Sequence, residues 1–302
     1  MQKIPVLVTF FNRPSHLETL LISLKKFPDT EIYFSSDGPR NPEDHVSLER
    51  CFELIDRYFG KIPESHLLRR ENNLGCKNGM KNNIDWFFGQ VSYGIILEDD
   101  CIPNENFIKL TGKVLSEHVD DPLYMSINGT NSFSKFNSKH LFRETHFPMV
   151  WGWGSWSKQW DKYQLEIPDA EEIVDCISDE IYGPNFSIKK MYFENVFKNR
   201  FLEVENGRID TWDYSLTASA WRHKLKSLQF NFNSIINIGF DESATHTINP
   251  KPKWVPTTYA EIQNLNQTVQ PIDSQSELWI IEKVFGAGFK QLIKNKIKSI
   301  IR

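Results

Sequence analysis

Strands and helices alternate through the first hundred residues, and this alternation constrains the fold more than any other feature. Short apolar runs rich in β-branched residues predict strands at residues 4–11, 31–36, 66–70 and 93–100. Apolar residues at helical spacing predict a helix between each pair of strands, and Ser15 with Glu18 predicts a capping box at the first. This order is typical of a mostly parallel central sheet with helices on both faces. We therefore predict an α/β fold.

Polar side chains follow every one of these predicted strands. They are Asn12 and Arg13, then Asp37, then Asn73 and Gly75, and finally Glu98, Asp99 and Asp100. In parallel sheets ligands bind at the carboxyl ends of the strands, so these clusters are expected to meet at one rim. Carboxylates at such a rim suit Mg²⁺ or Mn²⁺, which bind one or two carboxylates together with phosphate. The alternative interpretation of the acidic triplet is a solvated turn.

The pattern becomes less regular after residue 122. Residues 123–128 and 228–238 predict strands, whereas 169–206 and 213–224 predict helices. Residues 146–163 are dense in Trp and Gly and are interpreted as a loop followed by a helix.

Composition excludes several classes of protein. A formal net charge of −4 gives a nucleic-acid binder no general electrostatic support. The four cysteines form no CxxC pair, so we expect neither a zinc site nor a disulfide framework. The chain has no signal-peptide pattern, and no apolar run approaches the roughly 20 residues of a membrane span. These features predict a cytoplasmic protein.

Several motifs together are similar to a known family. The segments VLVTFFNRP, SSDG, ENNLGCKNG and ILEDDCIP resemble the nucleotide-sugar domain of GT-A glycosyltransferases. The acids at 98–100 and the later WGWGSW and TWDY segments resemble the inverting branch related to N-acetylglucosaminyltransferase I and bacterial family 2-like nucleotide-sugar transferases. The resemblance covers residues 4–250. It implies a GT-A (Rossmann-like) fold with a smaller acceptor-side region.

The resemblance also implies a division of the chain and an activity. Residues 1–145 would form a nucleotide-sugar-binding half, 146–250 an acceptor-binding and catalytic half, and 251–302 a C-terminal tail. The implied reaction moves a sugar, with inversion, from a nucleotide-diphosphate donor such as a UDP-sugar to a glycan, lipid-linked or protein-linked acceptor. Mn²⁺ or Mg²⁺ would be the cofactor.

Site residues follow from the same resemblance. Asp100 matches the metal ligand, while Glu98 and Asp99 match donor-side positions. The remaining matches to nucleotide-sugar-binding positions are Thr9, Phe10, Asn12, Arg13, Asp37, Asn73, Gly75 and Lys77.

Acceptor-side roles are carried by later segments. Trp151, Gly152, Trp153 and Gly154 would line an acceptor or sugar pocket, the alternative being a structural loop pinned by tryptophan. An inverting transfer needs one general base. The resemblance assigns this role to Asp213, with Asp210 in reserve, although Asp213 also fits a simple helix N-terminal acid.

Two features near the C-terminal end leave alternatives open. His246 would contact the metal or the diphosphate, or would simply be exposed. The stretch FKQLIKNKIKSIIR predicts a basic amphipathic helix. We hypothesise peripheral contact of this helix with an anionic membrane, against the alternative of a last helix with a solvated lysine face.

Two other functions compete with sugar transfer. A sugar-phosphate nucleotidyltransferase would have a glycine-rich loop after the first strand, but that position here is Phe11-Asn12-Arg13-Pro14. A non-catalytic carbohydrate-binding protein is permitted by the tryptophan-rich segment.

Overall fold

A computed structural model describes residues 3–133, 139–240, 251–260 and 266–287 of the 302-residue chain. The first part contains strands β1 (Ile4–Phe10), β2 (Thr30–Ser36), β3 (Leu67–Arg69) and β4 (Tyr93–Glu98). Between them lie helices α1 (Pro14–Leu24), α2 (Pro42–Phe59) and α3 (Gly75–Phe88), with a 3₁₀ turn at Glu64–His66. The alternation predicted from the sequence is confirmed.

The later elements are shorter. The strands are β5 (Cys101–Pro103), β6 (Ile127–Asn128), β7 (His140–Thr145), β8 (Trp153–Trp156), β9 (Ser227–Phe230), β10 (Ile235–Asn237) and β11 (Asn266–Gln270). The helices are α4 (Glu105–Glu117), α5 (Ser157–Trp160), α6 (Ala170–Tyr182), α7 (Ile188–Glu205), α8 (Asp213–Arg222) and α9 (Ser274–Lys283).

Within the described ranges, nine strands form one mixed sheet in the order β11-β7-β9-β6-β8-β4-β1-β2-β3. Strand β1 runs parallel to both β2 and β4. Strand β8 runs antiparallel between β4 and β6. Strands β5 and β10 form a separate antiparallel pair.

Helices cover both faces of the sheet, as the sequence predicts. Alternate residues of a strand point to opposite faces. Val8 of β1 therefore joins the core under α1, α2 and α4, with Leu20 among its members. Leu7 joins the second core under α3, α7 and α8, which contains Ile84 and Phe197.

Two local predictions are wrong, and a third is confirmed only in part. Ser15 and Glu18 form no capping box, because α1 begins at Pro14, whose ring sets the backbone angle of the first helical turn. Glu18 instead accepts a hydrogen bond from the Tyr58 hydroxyl at 2.9 Å. Part of the Trp-Gly stretch is a strand, β8, because it pairs with strands on both sides. The segments 123–128 and 228–238 give one two-residue strand and two separate strands, respectively.

The chain after residue 145 completes the sheet that the first part begins, since β8 lies directly beside β4. The predicted division at 145 and 250 stays a prediction. No helix in the described ranges is long and apolar enough to span a bilayer. His246 and the basic C-terminal helix lie outside the described residues.

Candidate functional site

The carboxyl ends of β4, β1 and β2 lie side by side. Phe10 pairs with Ser36 and Thr9 pairs with Glu98, so the three strands end at the same level. The polar clusters that follow them therefore share one rim, as the sequence predicts for a parallel sheet. Thr9 and Phe10 themselves are 4% and 5% exposed, which places them in the interior rather than on the rim.

Arg13 joins two of these clusters. Its Nη1 lies 3.1 Å from Oδ2 of Asp100, and its Nε and Nη2 donate to the two oxygens of Asp99. Burial of the guanidinium lowers its pKa, but the charges of Asp99 and Asp100 outweigh burial, and the net pKa of Arg13 is raised. Arg13 is therefore a permanent positive charge between two carboxylates.

The three acids at the end of β4 have different surroundings. Asp99 is 2% exposed and faces Arg13, whereas Asp100 is 13% exposed. Glu98 is half-buried, and burial raises its pKa, with Asp100, Asp99 and Asp213 adding to the effect and Arg13 opposing it. Asp99 is therefore closed off by Arg13, whereas Glu98 and Asp100 are both partly exposed to a ligand from outside.

Backbone approaches Asp100 closely on one side. The N–H of Ile238 donates to the carbonyl of Asp100 at 2.9 Å, which brings Gly239 against the side chain. A Cβ added to Gly239 would lie 2.9 Å from Cγ of Asp100 and 3.2 Å from Nη1 of Arg13. The carboxylate of Asp100 thus occupies the space that a side chain at position 239 would need.

Asp37 and Asn73 form the turn that precedes α3. The carboxylate of Asp37 accepts the backbone N–H groups of Leu74 at 2.9 Å and of Gly75 at 3.1 Å. The Asn73 amide donates to the carbonyl of Gly38 at 2.8 Å. The structure therefore brings Asp37, Asn73 and Gly75 together, and their contacts with a nucleotide stay predictions.

Asn12, the rim residue next to Arg13, is held by a second buried carboxylate, Asp44. Asn12 donates to Asp44, which also accepts from Arg40 at 2.7 Å. The hydrogen bonds from Arg40 and Asn12 keep the pKa of Asp44 low despite its burial. Sequence analysis missed Asp44, since a single acid in the first turn of a helix is common.

A cavity of about 220 Å³ opens at the ends of β2 and β3. It is lined by apolar Leu48 and Phe52 and by Arg69, Arg70 and Ser36. The Ser36 hydroxyl is buried without a hydrogen-bond partner among the described residues. The sequence analysis did not predict this cavity. Arg69 and Arg70 nevertheless lie at the carboxyl end of a parallel strand, as the other polar clusters do.

The two acceptor-side aspartates have distinct roles in the structure. Both oxygens of Asp210 accept backbone N–H groups, from Cys76 at 2.8 Å and from Lys77 at 2.9 Å. Asp213 is half-buried and its Oδ1 accepts from the Thr211 hydroxyl at 2.5 Å and from the Tyr214 N–H at 2.8 Å. Among the described residues nothing donates to Oδ2 of Asp213, so this oxygen is the better one to take a proton.

The predicted pocket at 151–154 is mostly core. Trp153 is 1% exposed, and a Cβ on Gly152 or Gly154 would overlap neighbouring side chains. The glycines therefore permit close packing rather than the approach of a ligand, which corrects the predicted role of Gly152, Trp153 and Gly154. Trp151 alone stays half-buried, stacked on Trp254 at 5.8 Å between ring centroids.

The described residues contain no group of three or more His, Cys, Asp or Glu side chains arranged to hold a metal ion. The predicted contribution of His246 falls outside those residues. Asp100, with Gly239 beside it, still fits a cation that is bound by one carboxylate and by the phosphates of a ligand. The site does not fit a cation held by protein groups alone.

The chain matches no profile of a known protein family, and no curated protein sequence matches it.

Proposed function

We propose that this protein is a GT-A-type glycosyltransferase that moves a sugar from a nucleotide-diphosphate donor to a glycan, lipid-linked or protein-linked acceptor, with inversion. One observation carries the proposal: Arg13 from the end of β1 contacts Asp99 and Asp100 from the end of β4, beside the turn that Asp37 holds at the end of β2. A partly exposed carboxylate, Asp100, beside a fixed cation, Arg13, suits a diphosphate that brings a metal ion with it.

The nucleoside end of the donor has a place in this arrangement. Neighbouring strands lie about 4.8 Å apart, so the cavity at the ends of β2 and β3 is roughly 10–14 Å along the rim from the end of β4. That span suits a nucleoside diphosphate whose phosphates lie at Asp100. Leu48 and Phe52 offer apolar contact for a base, and Ser36 offers a hydroxyl to which no other described residue is hydrogen-bonded.

The phosphate end would be neutralised by Arg13 together with a cation bound to Asp100. Mn²⁺ or Mg²⁺, bound by Asp100 and the phosphates, would supply Lewis-acid stabilisation of the departing diphosphate. Arg13 adds a charge that does not depend on pH or on metal concentration. Asp99 keeps the guanidinium in place, because it binds two of its nitrogens.

Asp213 would act as the general base. The acceptor hydroxyl forms its bond to the anomeric carbon while the bond to the diphosphate breaks, and its proton passes to Oδ2 of Asp213. The bonds from Thr211 and Tyr214 to Oδ1 fix the carboxylate in one orientation. Asp213 lies near enough to Glu98 for its charge to contribute to the raised pKa of Glu98, after burial and the nearer charges.

A binding experiment tests the proposal directly. Thermal unfolding is followed with UDP, GDP, CDP and TDP, each with and without Mn²⁺, and the panel is repeated for Asp100→Asn. A ligand at 100 times its Kd stabilises the fold by about 2.7 kcal/mol, which is easily measured as a shift in Tm. We expect one diphosphate to raise the Tm only with Mn²⁺, and Asp100→Asn to lose the shift. Equal shifts in both proteins, or none in the wild type, would refute the proposal.

A further inference from the structure

The amino end of α3 is closed by two carboxylates that come from distant parts of the chain. The first N–H groups of a helix have no partner inside the helix. Asp37 accepts the N–H groups of the two residues at 74 and 75, and Asp210 accepts those of Cys76 and Lys77. Asp210 lies more than 130 residues after the first turn of α3 in sequence, so it joins the later half of the chain to the donor-side turn.

The backbone of the turn is adapted to this contact. Gly75 has φ of +78°, a conformation that glycine adopts without strain. A Cβ at this position would lie 2.9 Å from Oδ2 and 3.7 Å from Cγ of Asp210. Any side chain at 75 would therefore both strain the turn and displace the carboxylate.

The same short segment carries Asp213. Between the two aspartates, Trp212 is 3% exposed and its carbonyl accepts a hydrogen bond from the Tyr163 hydroxyl at 3.3 Å. Asp213 is in turn the first residue of α8 and is fixed by Thr211. The segment 210–213 is thus bound to α3 through Asp210 at its start and leads into α8 through Asp213 at its end.

On the basis of the proposed function, we propose that Asp210 is a positioning residue. By binding α3, it sets the distance from Asp213 to the donor-side acids Glu98 and Asp100. Both of its oxygens are occupied by backbone N–H groups, so it is not a second base. Reactive groups must be placed to within about 1 Å, since a misplacement of that size can cost on the order of 100-fold in rate.

Hydrogen exchange tests the attachment without any substrate. In Asp210→Ala we expect exchange in peptides covering 74–79 and 211–216 to quicken together, by roughly tenfold or more, because local protection reports local opening. Ser187→Ala is the matched control: it removes the N-cap of α7, and the 18 residues of α7 place that cap about 27 Å from the other end of the helix, the end that leads to the segment before α8. The control should affect only the start of α7. Unchanged exchange at 211–216 in Asp210→Ala would overturn the proposal.

Turnover provides the second measurement, as nucleoside diphosphate released from a panel of nucleotide sugars with Mn²⁺. In Asp210→Ala we expect kcat to fall at least about 30-fold, with the donor KM and the affinity for UDP within about threefold. Asp210→Asn keeps one acceptor oxygen and should recover part of the loss. A purely structural role would lower only the folded fraction, which reduces apparent kcat and leaves KM unchanged, so turnover is expressed per folded molecule. With that correction a structural role leaves kcat near the wild-type value, as it should be in Ser187→Ala.

The two proposals fail in different ways. If the wild-type protein releases no nucleotide from any donor, the proposed function is refuted while the exchange experiment still decides whether Asp210 holds the segment of Asp213. If the wild type is active and kcat in Asp210→Ala stays within about threefold, the positioning role is refuted and the proposed function stands.

Discussion

Replacing Gly239 by alanine should disable Asp100 without unfolding the protein. The new Cβ would lie 2.9 Å from Cγ of Asp100, whereas two carbon atoms prefer a separation of about 3.5–4.0 Å. Oδ2 of Asp100 would lie closer still and would overlap the new Cβ, so the carboxylate must move by at least about 1 Å. Displacements of about 1 Å can cost on the order of 100-fold in a positioned site. We expect the Kd for a nucleoside diphosphate with Mn²⁺ to rise between about 10- and 100-fold.

Titration calorimetry with UDP and Mn²⁺ measures this change, and urea unfolding measures stability in parallel. Gly89→Ala is a matched control, because its Cβ would make only contacts of 3.3 and 3.4 Å with backbone oxygens at the end of α3. Gly239→Ala should lower the free energy of unfolding by about 1–3 kcal/mol, as overpacking a filled position does. Wild-type affinity in Gly239→Ala would show that the position of the Asp100 carboxylate does not matter for binding.

Three further predictions concern the base, the second core and a buried ion pair. Asp213→Asn should lower kcat by about 100- to 10,000-fold while the Kd for UDP stays near the wild-type value, and near-normal turnover would exclude Asp213 as the base. Trp153→Ala should destabilise the fold by about 3–5 kcal/mol in urea unfolding, as expected for a core residue, and a loss below about 1 kcal/mol would restore the pocket interpretation. Glu277→Gln should cost about 1–3 kcal/mol, because the carboxylate is 2% exposed and binds His146 at 2.9 Å, while Glu180 still pairs with the other ring nitrogen. Burial opposes the charged ring, but Glu277 and Glu180 raise the pKa of His146 above 6.5, so the pair stabilises the fold below pH 6.5 and its contribution disappears as pH rises through the raised pKa. Unfolding followed from pH 5 to 9 should show this dependence in the wild type and a weaker one in Glu277→Gln.

The first half of the fold could be predicted because its signals are local. Apolar runs and helical spacing identify β1 to β4 and the helices between them, and the parallel arrangement then brings Arg13, Asp37 and Asp100 to one rim. Each step depends on residues close in sequence, or on a rule that holds for parallel sheets in general.

The later half was predicted less well because its causes are distant in sequence. Gly154 is small because Thr111 and Leu115 of α4 occupy the space that its side chain would need, which no pattern near 154 reveals. Nothing near residue 153 in the sequence shows that Trp153 is buried, because the rings that pack against it, Trp160 and Trp212, come later in the chain. Asp210 could not be recognised as the cap of a helix that begins 135 residues earlier in the chain, at Gly75.

The closed amino end of α3 also limits where a diphosphate can bind. A helix N-terminus at the rim of a parallel sheet is normally a favourable phosphate site, because its N–H groups are free. In α3 these groups are occupied by Asp37 and Asp210, whose negative charges would repel a phosphate. A diphosphate at this rim must therefore be neutralised at the other end, by Arg13 and a cation on Asp100. The proposed function thus requires binding to depend on both groups, and binding that survives the loss of both would place the ligand elsewhere.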